Sequence, residues 1–159
     1  MTQYARPDAT TVDSGWSNDH TYIDETSYND ADYLLGANSA NGYVTIGLSN
    51  PTDPAVGTGH VVRFRAWQQN NAHQRTLVVN LYEGATLRSS YNSGSAFNLV
   101  KGTATSYDWT LSEAEANAIS DYSALALRFT SGGTVSTPTA SRSLIYVSWA
   151  EMELPDAVV

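Results

Sequence analysis

Apolar and polar side chains repeatedly alternate along this chain in short runs separated by turn residues. A period of two is the mark of a strand that buries one face. The clearest run, residues 60–69, is rich in β-branched and aromatic residues, with no proline and no internal glycine. It predicts Val62, Phe64 and Ala66 toward a core and Val61, Arg63, Arg65 and Trp67 on the opposite face. Residues 43–49, 75–83 and 124–130 repeat the pattern. Their apolar sets are Val44, Ile46 and Leu48, then Leu77, Val79 and Leu81, then Leu125, Leu127 and Phe129, with Arg128 outward. Further strands are expected at 20–23, 32–35, 86–91, 103–111 and 142–154, the last with Ile145, Val147 and Trp149 on one face and Tyr146, Ser148 and Met152 on the other.

Turn chemistry separates these runs. Asn41-Gly42 supplies the positive-φ pair that tight hairpins favour, within a turn at 38–42. Two prolines and two glycines break residues 50–59, and glycine- and serine-containing loops are expected at 92–102 and 131–141. One helix is expected at about residues 112–119, where Ser112 and Glu115 form the S-x-x-E capping pattern before an alanine-rich stretch. Many short strands with long connections predict an all-β fold: an antiparallel β-sandwich of jelly-roll type with one short helix. Residues 1–19 read as an extended N-terminal arm anchored by Trp16, residues 20–155 as a single sandwich domain, and 156–159 as a short C-terminal tail.

Composition narrows the function classes. Sixteen acidic against eight basic residues give a net charge of −8, the wrong sign for a nucleic-acid partner. No run approaches the ~20 apolar residues of a membrane helix, and the N-terminus lacks the basic and apolar regions of a signal peptide. With no cysteine in the chain, synthesis in a reducing cytoplasm without a signal peptide is expected. One lysine against seven arginines, ten tyrosines and four tryptophans is a balance that suits contact surfaces, and equally a low-lysine genome.

No catalytic constellation stands out. His20, His60 and His73 lack ligand-like spacing, and no nucleophile elbow or phosphate-binding glycine loop is present. The metal candidates are Asp24, Glu25, Asp30 and Asp32, whose oxygens would suit a structural calcium ion, although their spacing is not that of an EF-hand. A solvated acidic loop explains them as well. Glu151 and Glu153 share one face of the last strand and are expected to pair with Arg63, Arg65 or Arg128. Trp67, Tyr82, Trp109, Tyr146 and Trp149 suit either a sugar-binding surface or ordinary cross-strand packing.

Several segments together resemble a domain of tailed-phage and prophage virion proteins. They include Tyr4-Ala-Arg-Pro-Asp8, Gly15-Trp16, Ile23-Asp-Glu-Thr26, Asn29-Asp-Ala-Asp-Tyr33 and Gly47-Leu-Ser49. Gly59-His-Val-Val-Arg-Phe-Arg-Ala66, Val79-Asn-Leu-Tyr-Glu-Gly84, Leu111-Ser-Glu-Ala-Glu115 and Val147-Ser-Trp-Ala-Glu-Met-Glu-Leu-Pro155 extend the likeness over nearly the whole chain. The resemblance implies a non-enzymatic capsid decoration (cement) protein on the capsid exterior, bound to the major capsid protein and other virion subunits. It also implies a homo-oligomer such as a trimer, with no nucleic acid and no membrane. The expected partner contacts are then Tyr4, Arg6 and Trp16 in the arm and Arg63, Arg65 and Trp67 on the mixed face. The alternative is a carbohydrate-binding module-like domain of a tail or head fibre that contacts host-surface glycans. A polysaccharide lyase or hydrolase fits the fold class but has no residue constellation behind it.

Overall fold

The structure, a computed structural model, describes residues 2–36, 39–133 and 143–158. Among these residues eleven strands form two antiparallel sheets, with one α-helix and three short 3-10 turns. The first sheet runs in the order β1 (Gln3–Ala5), β11 (Ile145–Leu154), β5 (Val61–Gln68), β9 (Thr105–Thr110). A further strand, β3 (Leu34–Leu35), lies on the same edge of β11 as β1. The second sheet runs β2 (Pro7–Ser14), β4 (Tyr43–Leu48), β10 (Leu125–Gly133), β6 (Arg75–Glu83), β7 (Thr86–Ser90), with β8 (Phe97–Asn98) also pairing with β6. From β4 to β6, and again from β8 to β11, each successive strand crosses to the other sheet. That alternation is the jelly-roll habit, and the expected fold class is the one observed.

Alternation in the sequence becomes the inner faces of the two sheets. Val62, Phe64 and Ala66 of β5 are fully buried, as are Val44 and Ile46 of β4, Leu77, Val79 and Leu81 of β6, and Leu127 and Phe129 of β10. Phe64 is the hub. Its ring meets Phe129 of the facing sheet at 6.1 Å, stacks on Tyr107 at 5.1 Å, and touches Tyr91, Phe97 and Trp109 at 5.3, 6.1 and 6.2 Å. These rings close the side of the sandwich between β7 and β9, where backbone pairing ends. Such pairs add roughly 0.5–1.5 kcal/mol each beyond their buried area.

A polar network ties the far end together. Arg75, buried on the inner face of β6, donates from its guanidinium to the carbonyls of Gly132, Ser143 and Ser39. The buried Gln68 accepts from the Arg75 amide and donates to Ser143 Oγ and the His73 carbonyl. Bonds to ionised donors are stronger than neutral ones, and a buried cation is tolerated only when its donors are satisfied.

Several local expectations are corrected. The last strand carries a β-bulge between Val147 and Trp149, so its register against β5 slips by one residue. One extra residue reverses the faces that follow. Trp149 therefore points outward, and Ala150, Met152 and Leu154 join Ile145 and Val147 inside. Residues 3–14, expected as an arm, are extended but paired: β1 with β11, and β2 with β4. Residues 20–23 form a 3-10 turn, His20–Tyr22, capped by Asp19, and not a strand. The helix is Glu113–Asn117, shorter than expected, but its capping box is in place: Glu115 N donates to Ser112 Oγ and Ser112 N donates to Glu115 Oε2. Of the loop expected at 131–141, the first three residues instead continue β10 to Gly133; its remainder at 134–141, the start of the last strand at 142, and Asn38 of the turn at 38–42 lie outside the described residues.

Truncating the hub tests this core. Phe64→Ala leaves five rings without their common neighbour and lowers unfolding stability by about 3–5 kcal/mol, read from urea denaturation followed by tryptophan fluorescence.

Candidate functional site

Each sheet presents an outer face, and the two differ. That of the first sheet carries nearly all the residues singled out from the sequence, already engaged with one another. Arg63 pairs with Glu153 and lies 3.7 Å from Glu151, which also holds Arg6 at 3.1 Å. The expected pairing of Glu151 and Glu153 with Arg63 is therefore present. Burial pushes the Glu151 carboxyl above its ordinary pKa, against the opposing pull of the Arg6 and Arg63 charges. The exposed Tyr4 ring has the Arg6 guanidinium 5.1 Å above it. Trp16 is not at this surface: it is buried against Phe129, with its indole N–H donating to the Gly42 carbonyl.

The loop between β2 and β3 covers the middle of this face. Arg65 donates two bonds to Asp30, at 2.7 and 2.8 Å, and lies 4.1 Å over the Tyr28 ring. Ser148 Oγ also donates to Asp30, and the Trp149 indole donates to the Glu25 carbonyl. At the end of the face Trp67 stacks on Tyr146 at 5.0 Å, and Tyr33 closes edge-on against both. These aromatics bind each other and offer no open platform. The acidic residues are likewise dispersed: Asp30 is committed to Arg65 and Ser148, and Asp32 accepts from Asn29. Burial, then the charges of Asp24 and Asp32, raise the Glu25 pKa. Among the described residues no three carboxylate or histidine side chains gather as a metal site. His60 is buried, its ring 2.8 Å from the Tyr122 hydroxyl, so it belongs to the packing.

A cleft of about 580 Å³ opens at the side of the sandwich, lined by residues that include Arg88, Ser89, Asn92, Trp109 and Glu115. Its main polar groups are bound within the protein. Arg88 is paired with Glu83, the Trp109 indole donates to Ser89 Oγ, and Glu115 accepts from Ser112.

The outer face of the second sheet is built differently. Strand register sets three rows of side chains across it. Ala9, Gly47, Ala126 and Tyr82 make the first row, Thr45, Arg128 and Asn80 the second, and Tyr43, Thr130 and Val78 the third. The first row begins with three of the smallest side chains, so a trough of about 410 Å³ crosses the sheet above them. Asp8, Thr11, Asn50 and Ser123 stand along its margins, and Arg128 lines it from the second row. Gly47 suits the tight floor: a Cβ there would lie 3.3 Å from Ala9 Cβ. The Arg128 guanidinium lies over two rings, 4.7 Å from Tyr43 and 4.5 Å from Tyr82, and its Nε donates to Thr45 Oγ1 at 3.0 Å. Beside it the Asn80 side-chain oxygen is buried and has no hydrogen-bond partner among the described residues. A buried acceptor left unpaired costs roughly 1–3 kcal/mol. What this face presents to a ligand is Arg128, whose terminal nitrogens have no hydrogen-bond acceptor among the described residues, beside a channel of small side chains.

Sequence reasoning noted Arg128 as outward and Tyr82 among the strand aromatics, but missed Tyr43, Asn80, Thr45, Gly47 and Ala126. Arg128 was one of three partners offered for Glu151 and Glu153; it lies on the opposite sheet. An arginine between buried Leu127 and Phe129 was the available signal.

No family model matches the sequence, and no curated protein matches it. Solved structures match in fold. A family 35 carbohydrate binding module from an environmental isolate superposes with a TM-score of 0.53 at 7% identity, over 99% of this chain and 96% of that one. The C-terminal family 6 module of a laminarinase from Zobellia galactanivorans gives 0.48 at 10% identity, over 98% and 100%. A family 6 module of lichenase 5A from Cellvibrio mixtus, in complex with cellotriose, gives 0.45 at 11%, over 96% of each chain. The first of these is a likeness in fold over the full chain. It overturns the reading as a phage virion part decorating a capsid. The segments behind that resemblance include central strands β5, β6 and β11, the helix cap, the Trp16 anchor, parts of β1, β2 and β4, and the loop between β2 and β3, all of which serve the sandwich itself.

The Asp30–Arg65 clamp is directly testable. The Arg65 hydrogen bonds hold the Asp30 pKa below its ordinary value of 3.8. The stabilisation is thus complete above that ordinary value and is lost as pH falls through the lowered one. Asp30→Asn removes the charge at neutral pH. Allowing for partial exposure, losing the charge-assisted bonds raises local opening of residues 24–33 roughly tenfold. Hydrogen exchange at pH 7 reads this directly, and acidification of the unmodified protein through the lowered Asp30 pKa gives the same signature.

Proposed function

We propose that the protein is a glycan-binding module whose ligand lies in the trough across the outer face of the second sheet. The observation that carries this reading is the row of Ala9, Gly47 and Ala126, a channel floor bordered by polar side chains and by Arg128. Pyranose rings present hydroxyls around their rim and C–H groups on their faces. A channel with a small-residue floor, an arginine and margins of Asp8, Thr11, Asn50 and Ser123 matches that chemistry. The sandwich likeness to a carbohydrate-binding module supports the same reading.

Binding without cleavage is part of the proposal. Glycoside hydrolysis generally uses two carboxyl groups facing each other across the bond, and the trough is lined by one, Asp8. Trp67 is not a ligand platform in this reading, because it is stacked against Tyr146 on the other side of the sandwich.

Affinity electrophoresis through gels containing soluble plant, algal and bacterial polysaccharides tests the site. The protein is expected to be retarded by at least one of them. Ala126→Trp fills the channel from the outer face and is expected to weaken retention at least tenfold, with circular dichroism showing the sandwich still folded. Trp67→Ala is expected to leave retention intact. Retention that survives Ala126→Trp and is lost with Trp67→Ala would move the site to the first sheet.

A further inference from the structure

We propose that the ligand of this trough is an acidic glycan whose sugar carboxylate is received by Arg128, an inference that rests on the glycan-binding reading of the same face.

Within the described residues the chain commits its arginines, with one exception, to internal carboxylates or backbone carbonyls. It holds twice as many acidic as basic residues, and Arg6, Arg63, Arg65 and Arg88 each pair with a carboxylate. Arg75 is buried and donates to backbone carbonyls. Arg128 is different: among the described residues no carboxylate pairs with it, although it sits in the middle of a sheet face. In a chain so rich in acids, a cation left without one is a site prepared for an external anion.

Its geometry suits a planar anion. The rings of Tyr43 and Tyr82 flank the guanidinium, and the bond from Nε to Thr45 Oγ1 fixes its orientation. Its two terminal nitrogens have no hydrogen-bond acceptor among the described residues. A guanidinium whose rotation is already restricted gives up less entropy when it forms the two parallel bonds of a carboxylate fork.

Asn80 stands opposite Arg128 in the β6–β10 register, with its side-chain oxygen buried beneath the surface. The guanidinium alone therefore carries the preference for an anion, and a neutral hexose leaves it facing an alcohol.

The test compares one polymer with its own neutral form. Binding to glucuronoxylan and to polygalacturonate is measured by calorimetry beside the same polymers after their carboxylates are reduced to alcohols. Dextran and dextran sulfate serve as the sulfate arm. The native acidic polymers are expected to bind at least tenfold more tightly than their reduced forms. Arg128→Gln removes that preference, and Arg128→Lys retains only part of it because a point charge cannot form the fork. Asn80→Asp supplies an internal carboxylate to Arg128 and is expected to abolish the preference, with a melting temperature at or above that of the parent. That variant keeps the test valid should Arg128→Gln fold poorly.

Equal binding of native and reduced polymers, or a preference that survives in Asn80→Asp, overturns the acidic-ligand proposal while glycan binding stands. A preference for dextran sulfate over dextran with none for carboxylates reassigns the anion to sulfate and also overturns it. Absence of binding to every polysaccharide, acidic and neutral, overturns the glycan-binding reading and this inference together.

Discussion

The sandwich depends on the packing of Phe64 between its two sheets. Strand β5 lies in the interior of the first sheet, and the Phe64 ring reaches Phe129 on the central strand of the second. Four further aromatics gather around it at the side where neither sheet has another strand to add. One side chain thus sets the sheet separation and seals an otherwise open flank. Everything outside the core is arranged on the backs of the strands held by this contact.

Those backs differ in how they settle their charges. On the first sheet a long loop folds over the strands and neutralises them. Asp30 takes Arg65, Glu25 offers its carbonyl to Trp149, and Tyr28 covers the guanidinium. On the second sheet the rows stay uncovered, and the central arginine is held by tyrosine rings and a threonine hydroxyl. Ring faces and a neutral hydroxyl steady a cation without cancelling its charge, so its electrostatic potential remains available to whatever approaches.

Legibility in the sequence followed the same division. Strands β4, β5, β6 and β10 were readable because their two faces differ in polarity, and the inward residues fell where alternation placed them. Strand β2 was not readable: Pro7–Ser14 is an edge strand with two register shifts, held largely by backbone pairing that side-chain pattern does not report. The faces of β11 were misassigned because one extra residue at the bulge inverts the phase. The candidate site was the least legible part. Ala9, Gly47 and Ala126 are far apart in the chain and inconspicuous individually, and only cross-strand register makes them a floor. Arginines and tryptophans drew notice by residue type, yet most proved to be engaged with the chain's own loop and neighbours.

The bottom of the trough has a consequence for how such a protein can change. Ala9 and Ala126 project away from the interior, while the adjacent Leu125 and Leu127 carry the packing of β10. Substitutions on the outer alanines re-contour the channel without removing a contact of the central hydrophobic cluster, to which neither belongs. Recognition and folding are therefore written on alternate letters of the same strands. A lineage of such domains can drift from one ligand to another while its interior stays under unchanged selection.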